Sequence, residues 1–303
     1  MFYKSKPELV QKLKRFSDSK QESDKILLMM GTSHMGEYSS SFIREKTKNY
    51  EMFNFSAPMA TPSFLYYQLT KVLENEIPVS VIILEVLPET MQERANEYAL
   101  KFSYDFPFFW KYREVFSKSE WEAFVRVRAF AMMRYPLHPE KISQAIQFGK
   151  TDIMMMEDMM GQAIEQYNGS LPNFNLYNTP KILFPIESKK YVQEQFSGNS
   201  STVTQWFFLK EFIRVCKENN IRLYFFRTFL SEELEAELEK TDYRSWSLEF
   251  GEFASQNGVP FIDLNKFRKQ VSCQNFFDPH HLSGGCFPEI TEILLGNTIL
   301  KSK

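Results

Sequence analysis

The chain contains the three residue types that build an activated serine, and the serine lies far in sequence from the other two. Ser33 follows the apolar run "KILLMM" within "GTSHMGEY", and Asp278 and His281 stand three residues apart in "FFDPHHLSGG". An Asp-x-x-His spacing lets the carboxylate hold the Nδ1–H of the imidazole, which leaves Nε2 free to take a proton from a hydroxyl. We therefore predict that Ser33 is a nucleophile, that His281 is its general base, and that Asp278 orients His281.

Other roles for the same residue types have to be weighed against this prediction. Serine is a favoured helix N-cap, so Ser33 has a structural alternative, and His281 has one as a hydrogen-bonded core histidine. A metal set of His34, Asp278, His280 and His281 is a further alternative, since imidazole and carboxylate ligands suit zinc or iron. Because consecutive side chains diverge, we expect His280 and His281 not to face one ion, and we predict no metal site. His34 is expected to line the pocket.

The elements that must position these residues alternate along the chain. Short apolar runs predict strands, and helical patterns separate them, which favours a mostly parallel sheet with helices on both faces, a three-layer α/β/α fold. The run "VSVIILEVL" is apolar nearly throughout, as in a strand covered on both faces. Ser33 then stands at the carboxyl end of the first strand, where open α/β sheets bind ligands. The predicted strands are 26–30, 51–55, 79–87, 221–226 and 260–264.

A segment rich in Phe, Tyr, Trp and Met interrupts this rhythm between the third and fourth strands. We predict one α/β domain over residues 1–303, with a helical insertion at 95–200. Methionine is a common gap filler, so the Met-rich run "DIMMMEDMM" is expected to fill a core. The functional alternative for the insertion is a lid across the strand ends, since so long a segment inside a compact domain is seldom only a loop.

Composition excludes several classes of function. The formal charge of −2 over 303 residues gives no field for nucleic acid, and no basic run is present. No apolar run approaches the roughly 20 residues that span a bilayer, and the N-terminus lacks the apolar core of a signal peptide. Whether an anchor precedes this chain is left open by the sequence. The three cysteines, at no metal-like spacing, are predicted to be buried or idle thiols without a disulfide framework or a zinc site.

Taken together, these motifs resemble the SGNH (GDSL-type) hydrolase superfamily. Its first block, usually Gly-Asp-Ser, appears here as Gly31-Thr32-Ser33, and its last block, Asp-x-x-His, as 278–281. The stretch "NFSAPMATP" from Asn54 is similar to the second block, which follows the second strand. The chain looks closest to the alginate O-acetyltransferase-like and D-alanyl-transfer-like branch, whose members are exported proteins that modify polysaccharides. The resemblance covers about two thirds of the chain and leaves the insertion unexplained.

The chain departs from the superfamily at two oxyanion-binding positions. Met59 or Ala60 stands where the second block commonly ends in glycine, and "LEVLPE" after the third strand lacks the usual Gly-x-Asn-Asp. The resemblance implies oxyanion donors in the Ser33 N–H and in the loop from Asn54 to Ala60. The pocket residues we predict, besides the three catalytic ones, are Gly31, His34, Asn54, Ser56, Met59, Ala60, Glu85 and Arg227.

Two of these pocket residues have structural alternatives. Glu85, inside an apolar strand, is expected either to be buried with a partner or to face the site. Arg227, after the fourth strand, is expected either to bind a substrate anion or to form a surface salt bridge.

The function expected from the sequence is hydrolysis or transfer of a small acyl group, acetyl first, on a hydroxylated substrate such as a glycan. Its partners would be an acyl donor and a glycan acceptor, and no cofactor is implied because no nucleotide-binding glycine pattern is present. Since two oxyanion donors depart from the superfamily, we expect slow hydrolysis. The alternatives are a non-catalytic carbohydrate-binding protein on the same scaffold and a metal-dependent hydrolase. The resemblance suggests an exported or membrane-associated protein, with a cytoplasmic one as the alternative, and the oligomeric state is open.

Overall fold

A five-stranded parallel sheet forms the centre of the protein. The computed structural model describes residues 7–92, 99–100, 103–129, 143, 161–171, 179–196 and 202–301. The strands pair in the order β2-β1-β3-β4-β5, which is a doubly wound order. All five predicted strands are present, with ends within two residues of those expected. The strands are β1 Lys25–Met30, β2 Tyr50–Asn54, β3 Val79–Glu85, β4 Arg222–Arg227 and β5 Phe261–Asp263.

Helices precede, connect and follow the strands, and several begin at side-chain caps. Thr202 accepts a hydrogen bond from the N–H of Gln205, and Ser231 accepts one from the N–H of Leu234. The helices are α1 Pro7–Ser19, α2 Ser40–Thr47, α3 Pro62–Leu73, α4 Phe106–Lys111, α5 Lys118–Ala129, α6 Phe184–Phe196, α7 Val203–Glu218, α8 Glu232–Leu238, α9 Tyr243–Gln256 and α10 Phe287–Asn297. Short 3-10 turns cover Ser33–Met35, Pro88–Met91, Lys181–Leu183, Leu264–Gln270 and Gly284–Cys286.

Both faces of the sheet are buried. Alternate residues of each strand point to opposite faces, so each strand contributes to two apolar cores. On β1, Leu28 belongs to one apolar core and Leu27 to the other. Helices α1, α3, α7 and α9 cover the first face, while α2 and α10 cover the second. The predicted three-layer α/β/α architecture is therefore confirmed. Among the described residues, no helix combines the length and apolar character that crossing a membrane requires.

A small antiparallel hairpin, absent from the predicted elements, follows the sheet. It pairs β6, Phe276–Asp278, with β7, His281–Leu282. Strands of three and two residues are too short to show an alternating pattern, so the sequence indicated only a loop before α10. The hairpin places Asp278 and His281 opposite each other.

The prediction of three idle thiols is wrong for two of the cysteines. Cys273 and Cys286 form a disulfide across a separation of 13 residues, while Cys216 is a free buried thiol. The disulfide encloses the hairpin that carries Asp278 and His281. The two half-cystines come together because the chain turns back between β6 and α10, and linear spacing carries no signal of that turn.

Two described stretches of segment 95–200 contact the loops at the carboxyl edge of the sheet. The Leu171 N–H donates to the Gly36 carbonyl at 2.6 Å, and the Thr179 N–H donates to the Phe277 carbonyl at 3.0 Å. Both acceptors lie beside the loops that bear Ser33 and Asp278. The Met-rich run at 152–160 lies outside the described residues. The treatment of 95–200 as one insertion within a single domain stays a prediction.

Candidate active site

Ser33 stands directly beyond β1, at the first position of the 3-10 turn Ser33–Met35, and Thr32 is the residue that caps this turn. Gly31 is required just before it, because an added Cβ would collide with the Met35 sulfur and lie 2.5 Å from the Cβ of Glu85. The glycine thus lets the end of β1 approach the end of β3. The tight turn directs Ser33 away from the core, and its side chain is only partly buried.

A continuous chain of hydrogen bonds joins Ser33, His281 and Asp278. The Ser33 Oγ lies 2.8 Å from His281 Nε2, and His281 Nδ1 lies 2.8 Å from Asp278 Oδ2. The other carboxylate oxygen of Asp278 accepts the backbone N–H groups of His280 and His281 at 3.0 and 2.8 Å. Since an ionised carboxylate only accepts, His281 carries its proton on Nδ1, and Nε2 accepts the Ser33 hydroxyl.

The charge states of Asp278 and His281 suit general-base chemistry. Burial works to raise the pKa of Asp278, but its hydrogen bond to His281 and the nearby imidazoles outweigh burial and hold that pKa well below its usual range. Burial lowers the pKa of His281, and the hydrogen bond that its Nδ1–H donates to Asp278 only partly offsets this effect. An ionised Asp278 beside a neutral His281 is the state in which the imidazole can accept a proton.

A second carboxylate–imidazole pair lies beside the first. His34 Nδ1 is 3.2 Å from Glu85 Oε1 and 2.7 Å from Thr32 Oγ1. Glu85 Oε2 accepts the backbone N–H of Thr32 at 2.7 Å and its hydroxyl at 2.6 Å. Burial works against the ionised forms of both residues, but their mutual attraction prevails, so that the pKa of His34 is raised and that of Glu85 is lowered. Of the two alternatives weighed for Glu85, the structure thus shows a buried carboxylate with partners at the strand end.

The loop after β2 offers one backbone N–H to which no described residue serves as acceptor. The N–H groups of Ser56, Ala57 and Ala60 donate to Asn54 Oδ1, the Gly31 carbonyl and the Ala57 carbonyl at 2.9, 2.9 and 3.1 Å. Pro58 has no N–H, so Met59 is left as the donor without a partner among the described residues. Met59 has φ of +53°, the left-handed conformation that favours glycine. Met59 therefore adopts a backbone conformation that glycine takes without strain.

The side chain of Asn54 holds this loop in place through two hydrogen bonds. Its side-chain amide donates to the Met35 carbonyl at 2.7 Å, so it ties the loop after β2 to the turn that bears Ser33. Both side-chain functions of Asn54 are thus engaged within the protein, through Met35 and Ser56. The structure places Asn54 and Ser56 as supports of the site.

Arg227 takes part in a buried charge cluster at the end of β4. Its guanidinium lies 3.2 Å from Asp263 and 2.6 Å from Glu235, and it stacks over the ring of Tyr243 at 4.7 Å. A salt bridge was one of the two alternatives for Arg227, but the structure buries it below the surface. Burial works to lower the pKa of this guanidinium, yet Tyr243 and the two carboxylates raise it.

Sequence reasoning missed two residues that adjoin the hairpin, Glu89 and Tyr191. Tyr191 of α6 stacks on the ring of His280, with centroids 4.4 Å apart, and its hydroxyl donates to Glu89 at 2.9 Å. Burial raises the pKa of the Glu89 carboxyl. The signal for Glu89 was a carboxylate four residues beyond Glu85 at the end of an apolar run. Tyr191 gave no signal, because only the folding of α6 brings it to the hairpin.

Three imidazoles meet at this site, and the expectation that the adjacent histidines diverge is wrong. The rings of His280 and His281 lie 4.2 Å apart, and one nitrogen from each of His34, His280 and His281 falls within 4.8 Å of the others. However, both nitrogens of His281 are already engaged, by Ser33 and Asp278. The prediction of no metal stays a prediction.

A comparison with protein families shows which family the chain belongs to. The sequence model of a family described as "Protein of unknown function (DUF1574)" matches residues 1–298. The chain belongs to the DUF1574 family. No curated protein matches this DUF1574 chain.

Two solved structures are similar to this DUF1574 protein at low levels. One is an acetyl xylan esterase, AlAXEase, with 11% identity, a TM-score of 0.40, and 90% of this chain and 99% of that chain covered. The other is a GDSL-like lipase from Bacteroides thetaiotaomicron, with 11% identity, a TM-score of 0.40, and 97% of this chain and 100% of that chain covered. Similarity at this level supports no conclusion about activity or substrate.

Proposed function

We propose that this protein is a serine-dependent acyl-ester hydrolase or O-acyltransferase. The observation that carries the proposal is the unbroken chain from the Ser33 hydroxyl through His281 to the ionised carboxylate of Asp278, with both contacts at 2.8 Å. A hydroxyl, a neutral imidazole and a carboxylate in this order form the arrangement that activates serine for attack on a carbonyl. A serine that served only as a cap would have no need of this chain.

The geometry supports the following steps. The Ser33 oxygen attacks the ester carbonyl while its proton passes to His281 Nε2, which gives a tetrahedral oxyanion and an imidazolium held by Asp278. As the oxyanion collapses, the ester C–O bond breaks and His281 returns the proton to the leaving alkoxide, which leaves acyl-Ser33. Water, or the hydroxyl of an acceptor, then attacks the acyl group as its proton passes to His281 Nε2. As this second oxyanion collapses, the bond between the acyl carbon and the Ser33 oxygen breaks, and His281 returns the proton to Ser33, which releases the acid or the new ester.

Two backbone groups are proposed to bind the oxyanion. They are the N–H of Ser33 and the N–H of Met59, neither of which is used by another described residue. Removing one such donor costs on the order of 10²–10³ in rate, so two donors contribute a large share of the catalysis. The left-handed backbone of Met59 supports this role in spite of the missing glycine.

The acyl group is proposed to be small, acetyl first, and the acceptor a hydroxylated molecule such as a glycan. This part of the proposal is supported by the resemblance of 31–33, 54–62 and 278–281 to the polysaccharide-modifying branch of SGNH proteins. The disulfide supports an oxidising compartment, as expected of an exported or membrane-associated protein.

A fluorophosphonate probe tests the proposed function directly. The wild-type protein should be labelled in a time-dependent way, Ser33→Ala should not be labelled, and His281→Ala should react far more slowly. Ser245→Ala, an exposed serine on α9, is the matched control and should react like the wild type. An unlabelled wild type, under conditions that label a control esterase, would contradict the proposal and favour a carbohydrate-binding protein.

A further inference from the structure

A second carboxylate–imidazole pair next to the nucleophile is left without a role by the steps above. Glu85 at the end of β3 holds His34, the residue directly after Ser33, by a contact of 3.2 Å to Nδ1. The side chain of His34 is 6% exposed and that of Glu85 is fully buried. Burying an ionisable pair is costly unless the charges compensate one another, so a pair at this position calls for a functional reason.

The hydrogen bonds around Thr32 locate the proton on His34. The Thr32 hydroxyl has a single hydrogen, which it donates to Glu85 Oε2 at 2.6 Å. The contact of 2.7 Å between Thr32 Oγ1 and His34 Nδ1 therefore requires Nδ1–H as the donor. With one edge of the ring fixed in this way, the other edge carries Nε2, which has no hydrogen-bond partner among the described residues.

Three carboxylates and two imidazoles face His34. Glu85 comes from the end of β3, Glu89 from the 3-10 turn that follows it, and Asp278 from the hairpin. The hairpin imidazoles His280 and His281 face it as well, with ring centroids 5.7 and 4.8 Å away.

The balance of these charges decides which imidazole is protonated. The carboxylates raise the pKa of His34, whereas burial and the neighbouring imidazoles keep those of His280 and His281 below the ordinary value. Of these three imidazoles, His34 beside Ser33 is thus the one whose surroundings favour a second proton.

Resting on the proposed function, we infer that Glu85 holds His34 as a buried imidazolium, a fixed positive charge that stabilises the oxyanion formed at Ser33 and keeps the His281 base unprotonated. His34 is thus a positioning residue that acts through its charge, since its buried Nε2 need not touch the substrate. A charge fixed before the reaction costs no reorganisation as the oxyanion forms. Its proximity to His281 opposes a second proton on the base, because like charges repel.

This role predicts a bell-shaped dependence of kcat/KM on pH. The rate falls on the acid side as His281 is protonated, and it falls on the alkaline side as His34 loses its second proton. His34→Gln should lower kcat/KM at neutral pH about tenfold, less than the 10²–10³ lost with a direct oxyanion donor. It should also abolish the alkaline limb and move the acid limb to higher pH. Glu85→Gln should move the alkaline limb to lower pH.

Nitrogen-15 NMR of the imidazoles in the wild-type protein provides the independent readout, since the chain has only 4 histidines. With His34→Gln as the assignment control, His34 should be doubly protonated at pH 7 and His281 should not. A neutral His34 at that pH, or pH profiles of both variants that match the wild type, would overturn the inference. If Ser33→Ala loses all activity while kcat/KM of His34→Gln and its pH dependence match the wild type, the proposed function stands and the role of His34 is refuted. Activity retained in Ser33→Ala would refute the proposed function itself.

Discussion

The Ser33 Oγ lies 2.8 Å from His281 Nε2, although 248 residues separate them in the chain. Ser33 is delivered by the end of β1 and His281 by a hairpin that follows the whole sheet. Because β1 lies inside the sheet and the hairpin folds back over its carboxyl edge, the contact depends on the complete fold.

Replacing Asp278 by Asn should inactivate the protein without unfolding it. An amide offers its N–H₂ to His281 and thereby favours the wrong tautomer, so the imidazole no longer accepts the Ser33 proton. We expect kcat for p-nitrophenyl acetate to fall by about 10⁴, as in serine proteases that carry this change. The circular dichroism spectrum should stay that of the wild type. A fall of less than about tenfold would show that Asp278 does not orient the base.

The acid limb of the pH–rate profile should lie below the ordinary pKa of histidine. The base works only when His281 is neutral, and burial lowers the pKa of His281 below 6.5. The rate is therefore retained as pH falls to 6.5 and is lost only as pH passes through the lowered pKa. A pH–rate profile of kcat/KM measures this limb. An acid limb above 6.5 would contradict the charge distribution described for the site.

Reducing the disulfide between Cys273 and Cys286 should destabilise the hairpin that carries Asp278 and His281. A loop of this length gains about 3 kcal/mol from a cross-link in the chain-entropy account. We expect a reductant to lower the free energy of unfolding by up to that amount and to lower activity as well, since the hairpin holds Asp278 and His281. The double variant Cys273→Ser/Cys286→Ser is the control and should not respond further to reductant. A wild type whose stability and activity ignore reduction would refute the structural role of this bond.

Gly31→Ala should be far more harmful than Gly251→Ala. A methyl group at Gly31 meets the Met35 sulfur and Glu85, whereas at Gly251 on α9 it meets no atom within 4 Å. The first change should cost about 1–3 kcal/mol of stability through overpacking and displace the turn that carries Ser33. The second should be neutral or stabilising by about 0.5–1 kcal/mol, because alanine favours a helix interior. Chemical denaturation of both variants compares them. Equal effects would show that the close approach of β1 and β3 at Gly31 is unimportant.

The sequence predicted the sheet more fully than the site. The strands from Lys25 to Asp263 were visible because parallel strands covered on both faces are continuously apolar. The first turn of the site was visible too, since "GTS" follows such a strand directly. The proposed roles of Asp278 and His281 were inferred from their spacing and from the resemblance to SGNH hydrolases, and the two-strand hairpin that holds them left no pattern.

Contacts made between distant segments could not be predicted from local patterns. The disulfide depends on a chain reversal, and Tyr191 reaches His280 from α6, which precedes β4 in the chain. The ion pair of His34 with Glu85 depends on the pairing of β1 with β3, although each residue alone was expected near the pocket. Long-range pairing, and not residue type, decided these features.

Trapping the acyl-enzyme tests the central claim most directly. Brief treatment of the wild type with p-nitrophenyl acetate, followed by acid quenching and peptide mapping by mass spectrometry, should find one acetyl group on Ser33. Slow turnover should accompany it, because only the Ser33 and Met59 N–H groups serve as backbone oxyanion donors in the proposed site. His281→Ala should show little or no acetylation. Acetyl groups on other residues only, or ester hydrolysis that survives in Ser33→Ala, would contradict the assignment of Ser33 as the nucleophile.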